Sequence, residues 1–319
     1  MARRGTPASI EGTSRRWTRT THRVDFSMPP TEPQVAVKVV ELPTGSKLHT
    51  ERWHTGIANP SRTILCLHGL GGTTNIYYPI TRHLLSLLPD SHVLSYDRAG
   101  SGLSPLTDYG NVPFSMAHML ADLEAFIASE VSTGPIILVG HSMGTMIISR
   151  WLLTSSPALE RVSHVIFIGG PMEVPVTPDQ HEFRLRLADA IALGGPAAML
   201  DDRMLPLLTG KTTTVTRPLV NALMRAIVMS QRNQAYAAAI HAFAEDSLPA
   251  AGPIDWDAIQ TRFKVLLLCG EEDLLVGVDR VVRLLTKSTV RIMSEIGHSP
   301  MLEAPQQSAR LIVEFLGDV

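Results

Sequence analysis

Short apolar runs alternate with amphipathic helical patterns along most of this chain, and no other feature constrains its fold as tightly. The run at 63–67 is followed by a helical pattern at 76–88, the run at 92–96 by one at 115–131, and the run at 135–139 by one at 142–154. Within 115–131, Met116, Met119, Leu120, Leu123, Phe126 and Ile127 recur at helical spacing. Runs this short suit strands buried on both faces, and strand–helix alternation builds βαβ units around a parallel sheet. Upstream, 35–42 and 47–54 read as a hairpin across Pro43-Thr44-Gly45-Ser46. Downstream, strands at 164–168, 263–269 and 289–294 and helices at 279–286 and 305–316 complete a predicted eight-stranded, mostly parallel α/β sheet with helices on both faces.

The rhythm breaks between 171 and 252, where no strand pattern survives and Ala, Leu, Met and Arg dominate. A helical insertion at the carboxyl edge of a parallel sheet is placed to act as a lid, since ligands bind outside that edge; an ordinary helical subdomain is the alternative. The expected plan is a tail at 1–33, a core at 34–170 and 253–319, and a lid at 171–252. With 319 residues, 45% of them hydrophobic, the chain can bury one large α/β core plus such an insertion.

A formal charge of -2 argues against a nucleic-acid partner. Cys66 and Cys269, the two cysteines, sit inside apolar runs and read as buried thiols. No stretch approaches the roughly 18–20 apolar residues of a transmembrane segment, and the start lacks the apolar region of a secretory signal. The tail carries Arg3, Arg4, Arg15, Arg16, Arg19 and Arg23 against Glu11 and Asp25. That composition suits a plain disordered tail or a mitochondrial transit peptide, so a cytoplasmic protein is expected, with a mitochondrial one as the alternative.

The chemistry concentrates where the strand Ile136-Ile137-Leu138-Val139 runs into Gly140-His141-Ser142-Met143-Gly144 and a helix follows. A serine on a sharp strand-to-helix turn needs small neighbours two residues to either side, and the turn lifts its hydroxyl above the sheet edge. A serine hydroxyl is a weak nucleophile and requires a base held by an orienting acid. Asp273, past the strand that ends at Gly270-Glu271-Glu272, and His298, in the loop after the final strand, leave the same sheet edge. Ser142 as nucleophile, His298 as base and Asp273 as its acid is the economical assignment, with Glu173 as the rival acid. Glu271 and Glu272 are expected to be solvated, Glu303 to brace the His298 loop, and His141 to pack facing away from the site. His181 and His241 read as surface residues or substrate contacts. An oxyanion needs donors, for which the N–H of Met143 and that of Leu70 in His68-Gly69-Leu70-Gly71-Gly72 are expected, with Gly71 as fallback and His68 orienting the loop.

Together with Asp97-Arg98-Ala99-Gly100-Ser101-Gly102-Leu103-Ser104 and Gly297-His298, these motifs resemble the α/β-hydrolase superfamily over 35–316. The Asp97–Ser104 stretch resembles its structural turn, with Asp97 and Arg98 bracing loops. The insertion and this turn are similar to those of enol-lactonases, small carboxylesterases, perhydrolases and carbon–carbon bond hydrolases. Thr145 departs from relatives with a third glycine there, and either tightens the first helical turn or reaches the site. Serine rather than aspartate at 142 sets the chain apart from haloalkane dehalogenases and epoxide hydrolases. The resemblance implies a serine hydrolase cleaving a small ester or lactone through an acyl-enzyme, with no metal or organic cofactor. Carbon–carbon hydrolysis or lyase chemistry on the same residues, and a ligand-binding protein on a hydrolase scaffold, are the alternatives.

Overall fold

Strand β1 (Gln34–Glu41) pairs antiparallel with β2 (Lys47–His54) across the predicted turn, and β2 pairs antiparallel with β4 (Ser91–Tyr96). The computed structural model describes residues 32–110, 112–131, 133–171, 176–200 and 204–317; residues 1–31 of the expected tail, and Glu173, lie outside them. All remaining pairings, among β3 (Arg62–Leu67), β4, β5 (Ile136–His141), β6 (Val162–Ile168), β7 (Lys264–Gly270) and β8 (Thr289–Met293), are parallel. The strand order is β1-β2-β4-β3-β5-β6-β7-β8, so β2 alone runs against the rest.

Helix α1 (Tyr78–Leu87) joins β3 to β4, α2 (Met116–Glu130) joins β4 to β5, and α3 (Met143–Leu152) follows β5. Between β6 and β7 the described residues hold helices and no strand. These are α4 (Pro178–Gly194), the short α5 (Leu205–Thr209) and α6 (Lys211–Thr216), α7 (Pro218–Met229), α8 (Asn233–Asp246) and α9 (Trp256–Arg262). Helices α10 (Val278–Leu284), α11 (Pro300–Glu303) and α12 (Pro305–Leu316) complete the chain.

Alternate residues of the parallel strands feed two cores. Leu65, Leu138, Phe167 and Leu267 pack with α2 and α3 on one face, and Ile64, Ile137, Ile166 and Leu266 with α1 and α12 on the other. This is why the strands read as continuous apolar runs rather than alternating ones. Helices α1 and α12 pack against each other, and within the insertion α4 packs on α8. Among the described residues no helix is long and apolar enough to cross a membrane.

Strand order positions the site. From β3 the chain steps outward to β4, then returns to place β5 on the other side of β3. Loops leaving β3 and β5 at their carboxyl ends therefore diverge and open a crevice, the place where ligands bind in open parallel sheets.

Candidate active site

Ser142 stands at the end of β5 with φ 53° and ψ -120°, a conformation L residues rarely hold. Its backbone is over-determined: Ser142 N–H donates to Ile168 O at 3.0 Å, and its carbonyl accepts from Thr145 N at 2.8 Å and Thr145 Oγ1 at 2.6 Å. Thr145 thus tightens the first turn of α3, and it fills the space beside Gly170, where an added Cβ would come within 2.6 Å of its Oγ1. Gly144 is required by proximity. A Cβ there would lie 2.2 Å from Leu67 O, so β3 and the elbow could not keep their spacing. Gly144→Ala is expected to destabilise the fold by about 3 kcal/mol, the upper end of ordinary overpacking, read by urea denaturation. An unchanged midpoint would contradict this account of the elbow.

Asp273 and His298 come from the loops after β7 and β8 and meet in a buried hydrogen bond, Nδ1 to Oδ2 at 2.9 Å. Asp273 Oδ1 accepts from Leu275 N at 3.0 Å and Val276 N at 3.3 Å, leaving Oδ2 for the imidazole. Burial pushes the Asp273 carboxyl up, but His298 and the two backbone amides outweigh it and hold the group below its ordinary value of 3.8. A carboxylate depressed on folding contributes stability that is full above its unfolded pKa and lost as pH falls through the folded one. The stability difference between the wild-type chain and Asp273→Asn should therefore shrink below about pH 4, measurable by urea titration across pH 2–6. A difference constant across that range would contradict the assignment.

The His298 loop is braced as expected by Glu303, whose carboxylate accepts from Gly297 N at 3.0 Å and Ser299 N at 2.9 Å. Among the described residues no hydrogen bond joins Ser142 Oγ to His298; the two share the lining of one cavity. Such contacts often tighten only with substrate in place.

Opposite the elbow, the Gly69 carbonyl is held from behind by three donors. These are His68 Nδ1 at 2.8 Å, Arg98 Nη2 at 3.0 Å and Gly72 N at 3.2 Å. Arg98 N donates to His68 Nε2 at 3.1 Å, which fixes the His68 proton on Nδ1. In a trans peptide the N–H points away from the preceding C=O, so anchoring Gly69 O aims the Leu70 N–H the other way. Neither Leu70 N–H nor Met143 N–H meets an acceptor among the described residues. The Asp97 turn braces as expected, accepting from Thr74 N at 2.7 Å and Leu103 N at 2.9 Å.

Ser142, His298, Leu70 and Met143 line a cavity of about 400 Å³ whose remaining walls come largely from the insertion, including Phe183, Leu187, Met199, Met204, Met224 and Phe243. A volume of this size is ordinary for a small-molecule site. Among the described residues Arg184 on α4 is its only lysine or arginine.

Two expectations need correcting. His141 does not face away: it is among the residues lining the cavity, and its ring turns toward the base, 4.9 Å from the His298 ring with Nε2 3.0 Å from His298 O. Burial, with the neighbouring His298, pushes its pKa down to about 3, so it is neutral and donates through Nε2 to that carbonyl. Glu272 is not simply solvated; it accepts from Thr212 N at 2.8 Å and Thr212 Oγ1 at 2.5 Å, tying α6 to the Asp273 loop. Glu271 is exposed and accepts from Ser294 Oγ. His241 is exposed and His181 pairs with Glu245 at 3.3 Å; neither lines the cavity. Both cysteines are buried, and burial pushes their thiol pKa values up. Arg184 was missed, although it carried a signal: a charge at helical spacing with Leu187, Ala188 and Ile191 on the inward stripe of α4.

A profile described as the alpha/beta hydrolase family matches residues 64–311. A Bacillus subtilis protein assigned as a 2-succinyl-6-hydroxy-2,4-cyclohexadiene-1-carboxylate synthase is 24% identical over 268 residues, 82% of this chain and 92% of that one. A thermophilic esterase from Thermogutta terrifontis superposes with a TM-score of 0.72 at 22% identity, covering 88% of this chain and 98% of the esterase. The enol-lactonase from Burkholderia xenovorans LB400 gives 0.68 at 20% identity, over 88% and 100%.

Proposed function

The chain belongs to the alpha/beta hydrolase family, and from that premise we propose that it is a serine hydrolase of small esters or lactones, with Ser142, His298 and Asp273 as its catalytic residues. The observation that carries this reading is the strained Ser142 facing the same apolar cavity as a buried Asp273–His298 pair. Ser142 Oγ attacks the carbonyl carbon as its proton passes to His298 Nε2. Leu70 and Met143 amides hold the resulting oxyanion. Collapse expels the alkoxide, which takes the proton from His298 and leaves an acyl-enzyme. Water then adds to the acyl carbon, giving its proton to His298, and the second collapse releases the acid and returns the proton to Ser142. Asp273 keeps the His298 proton on Nδ1, so that Nε2 can accept. The insertion at 171–252 serves as the lid that excludes water and shapes the acyl pocket.

Labelling by a fluorophosphonate probe tests the nucleophile, and an ester and lactone panel of graded acyl length tests the reaction. Rapid labelling with turnover of at least one class is the expected result; a chain that neither labels nor hydrolyses would overturn it in favour of a binding protein. Carbon–carbon cleavage or elimination on the same residues is the second reading, favoured by the Bacillus subtilis relative. Turnover of a diketone, with every ester and lactone inert, would select it.

A further inference from the structure

We propose that Arg184 binds a carboxylate on the substrate, remote from the scissile carbonyl, so that the chain prefers acid-bearing esters or lactones over neutral ones. The proposal rests on the serine-hydrolase reading of the cavity and names its substrate class.

Arg184 lies on α4 and shares the cavity lining with Ser142 and His298. Its guanidinium is half-buried and fixed on two sides. The Arg184 Cζ sits 4.1 Å over the Phe243 ring, and Nη1 donates to Ser247 Oγ at 2.6 Å. Ser247 spends its own proton on Phe243 O at 2.7 Å, so its oxygen faces the guanidinium only as an acceptor. A ring and a hydroxyl orient the cation without neutralising it. No carboxylate pairs with it among the described residues: Glu245 is engaged by His181, Asp246 by Arg150, and Asp179, at the cavity mouth, is exposed on the first turn of α4. Burial lowers its pKa only to about 10, so the group stays charged at neutral pH.

The Nε and Nη2 donors have no protein partner among the described residues. Those two N–H groups form one edge of the fork that takes a carboxylate bidentately. Burying a cation without a counter-ion is unfavourable, and an acid group delivered by the substrate would supply the missing half of the pair. Among the described residues Arg184 is the one lysine or arginine in a lining dominated by leucine, methionine and phenylalanine, which places recognition of the acid there.

The test compares charged and neutral esters matched in length, in both orientations. One set pairs mono-p-nitrophenyl esters of succinate to suberate with p-nitrophenyl alkanoates. The other pairs alkanoyl esters of ω-hydroxy acids with those of plain alcohols. In at least one set the charged member is expected to show a kcat/KM about 10- to 100-fold higher. Arg184→Gln should erase that preference by lowering kcat/KM on the charged ester at least 10-fold more than on its neutral match, and Arg184→Lys should retain only part of it. A neutral preference in both sets, or equal losses on both members in Arg184→Gln, would overturn the proposal. Calorimetric titration of Ser142→Ala with the same intact esters reads affinity without turnover. Tighter binding of the charged ester that disappears in Ser142→Ala/Arg184→Gln supports the proposal even in a chain that hydrolyses nothing, and equal affinity refutes it. The two readings therefore fail separately.

Discussion

Replacing Ser142 with alanine is expected to lower kcat on esters by ~10⁶-fold and to abolish fluorophosphonate labelling, the scale seen when a serine nucleophile of this kind is removed. The elbow geometry makes this substitution unusually clean. Alanine is as strained as serine at φ 53°, so the backbone penalty does not change. Ser142 Oγ makes no hydrogen bond to the protein among the described residues, so no buried partner is stranded. Stability should stay within about 0.5 kcal/mol of the wild-type chain. Residual acceleration over water would come from the Leu70 and Met143 amides and from binding. Retained turnover in a folded Ser142→Ala chain would remove the serine from the mechanism.

The second large effect is expected at Asp273→Asn, a ~10⁴-fold fall in kcat with little change in KM. The cause is a tautomer. In the native chain Oδ1 accepts from Leu275 and Val276 amides and Oδ2 accepts the His298 Nδ1 proton. An asparagine that keeps its oxygen on those two amides must turn its NH₂ toward Nδ1. The imidazole then carries its proton on Nε2, the nitrogen that should receive the proton from Ser142. Labelling of Ser142 should slow in parallel, since it draws on the same base. Normal rates in this variant would move the orienting acid elsewhere, with Glu173 the residue to replace next.

Much of this was legible in the sequence because it rests on local pattern. The strand at 47–54 and the helix at 305–316 appear where predicted, since apolar spacing, glycine and proline set them within a few residues. The Asp273–His298 contact was legible for a related reason: both follow strands that end at one sheet edge, so topology brings them together. What the sequence hid depends on loops meeting across that edge. Glu272 and Thr212 are 60 positions apart, and nothing in either segment announces the other. The direction of the His141 ring is set by the His298 carbonyl, 157 positions away. Arg184 carried a local signal, but its meaning needed Phe243 and Ser247 from α8 and the loop beyond it.

The insertion is fastened unevenly. Its α5–α6 corner is bonded to the loops that carry the acid and the base, through Thr212 to Glu272 and through Ser299 Oγ to Leu208 O at 2.9 Å. At the other end, α4 carries Asp179, Gln180 and Phe183, exposed where they line the cavity, and packs on α8. Selectivity and catalysis are thereby mechanically separable within one stretch of chain. A laboratory effort to redirect this scaffold can vary the cavity-lining residues of α4, keeping the buried Ala188 and Ile191, and should leave the Leu208–Thr213 corner untouched.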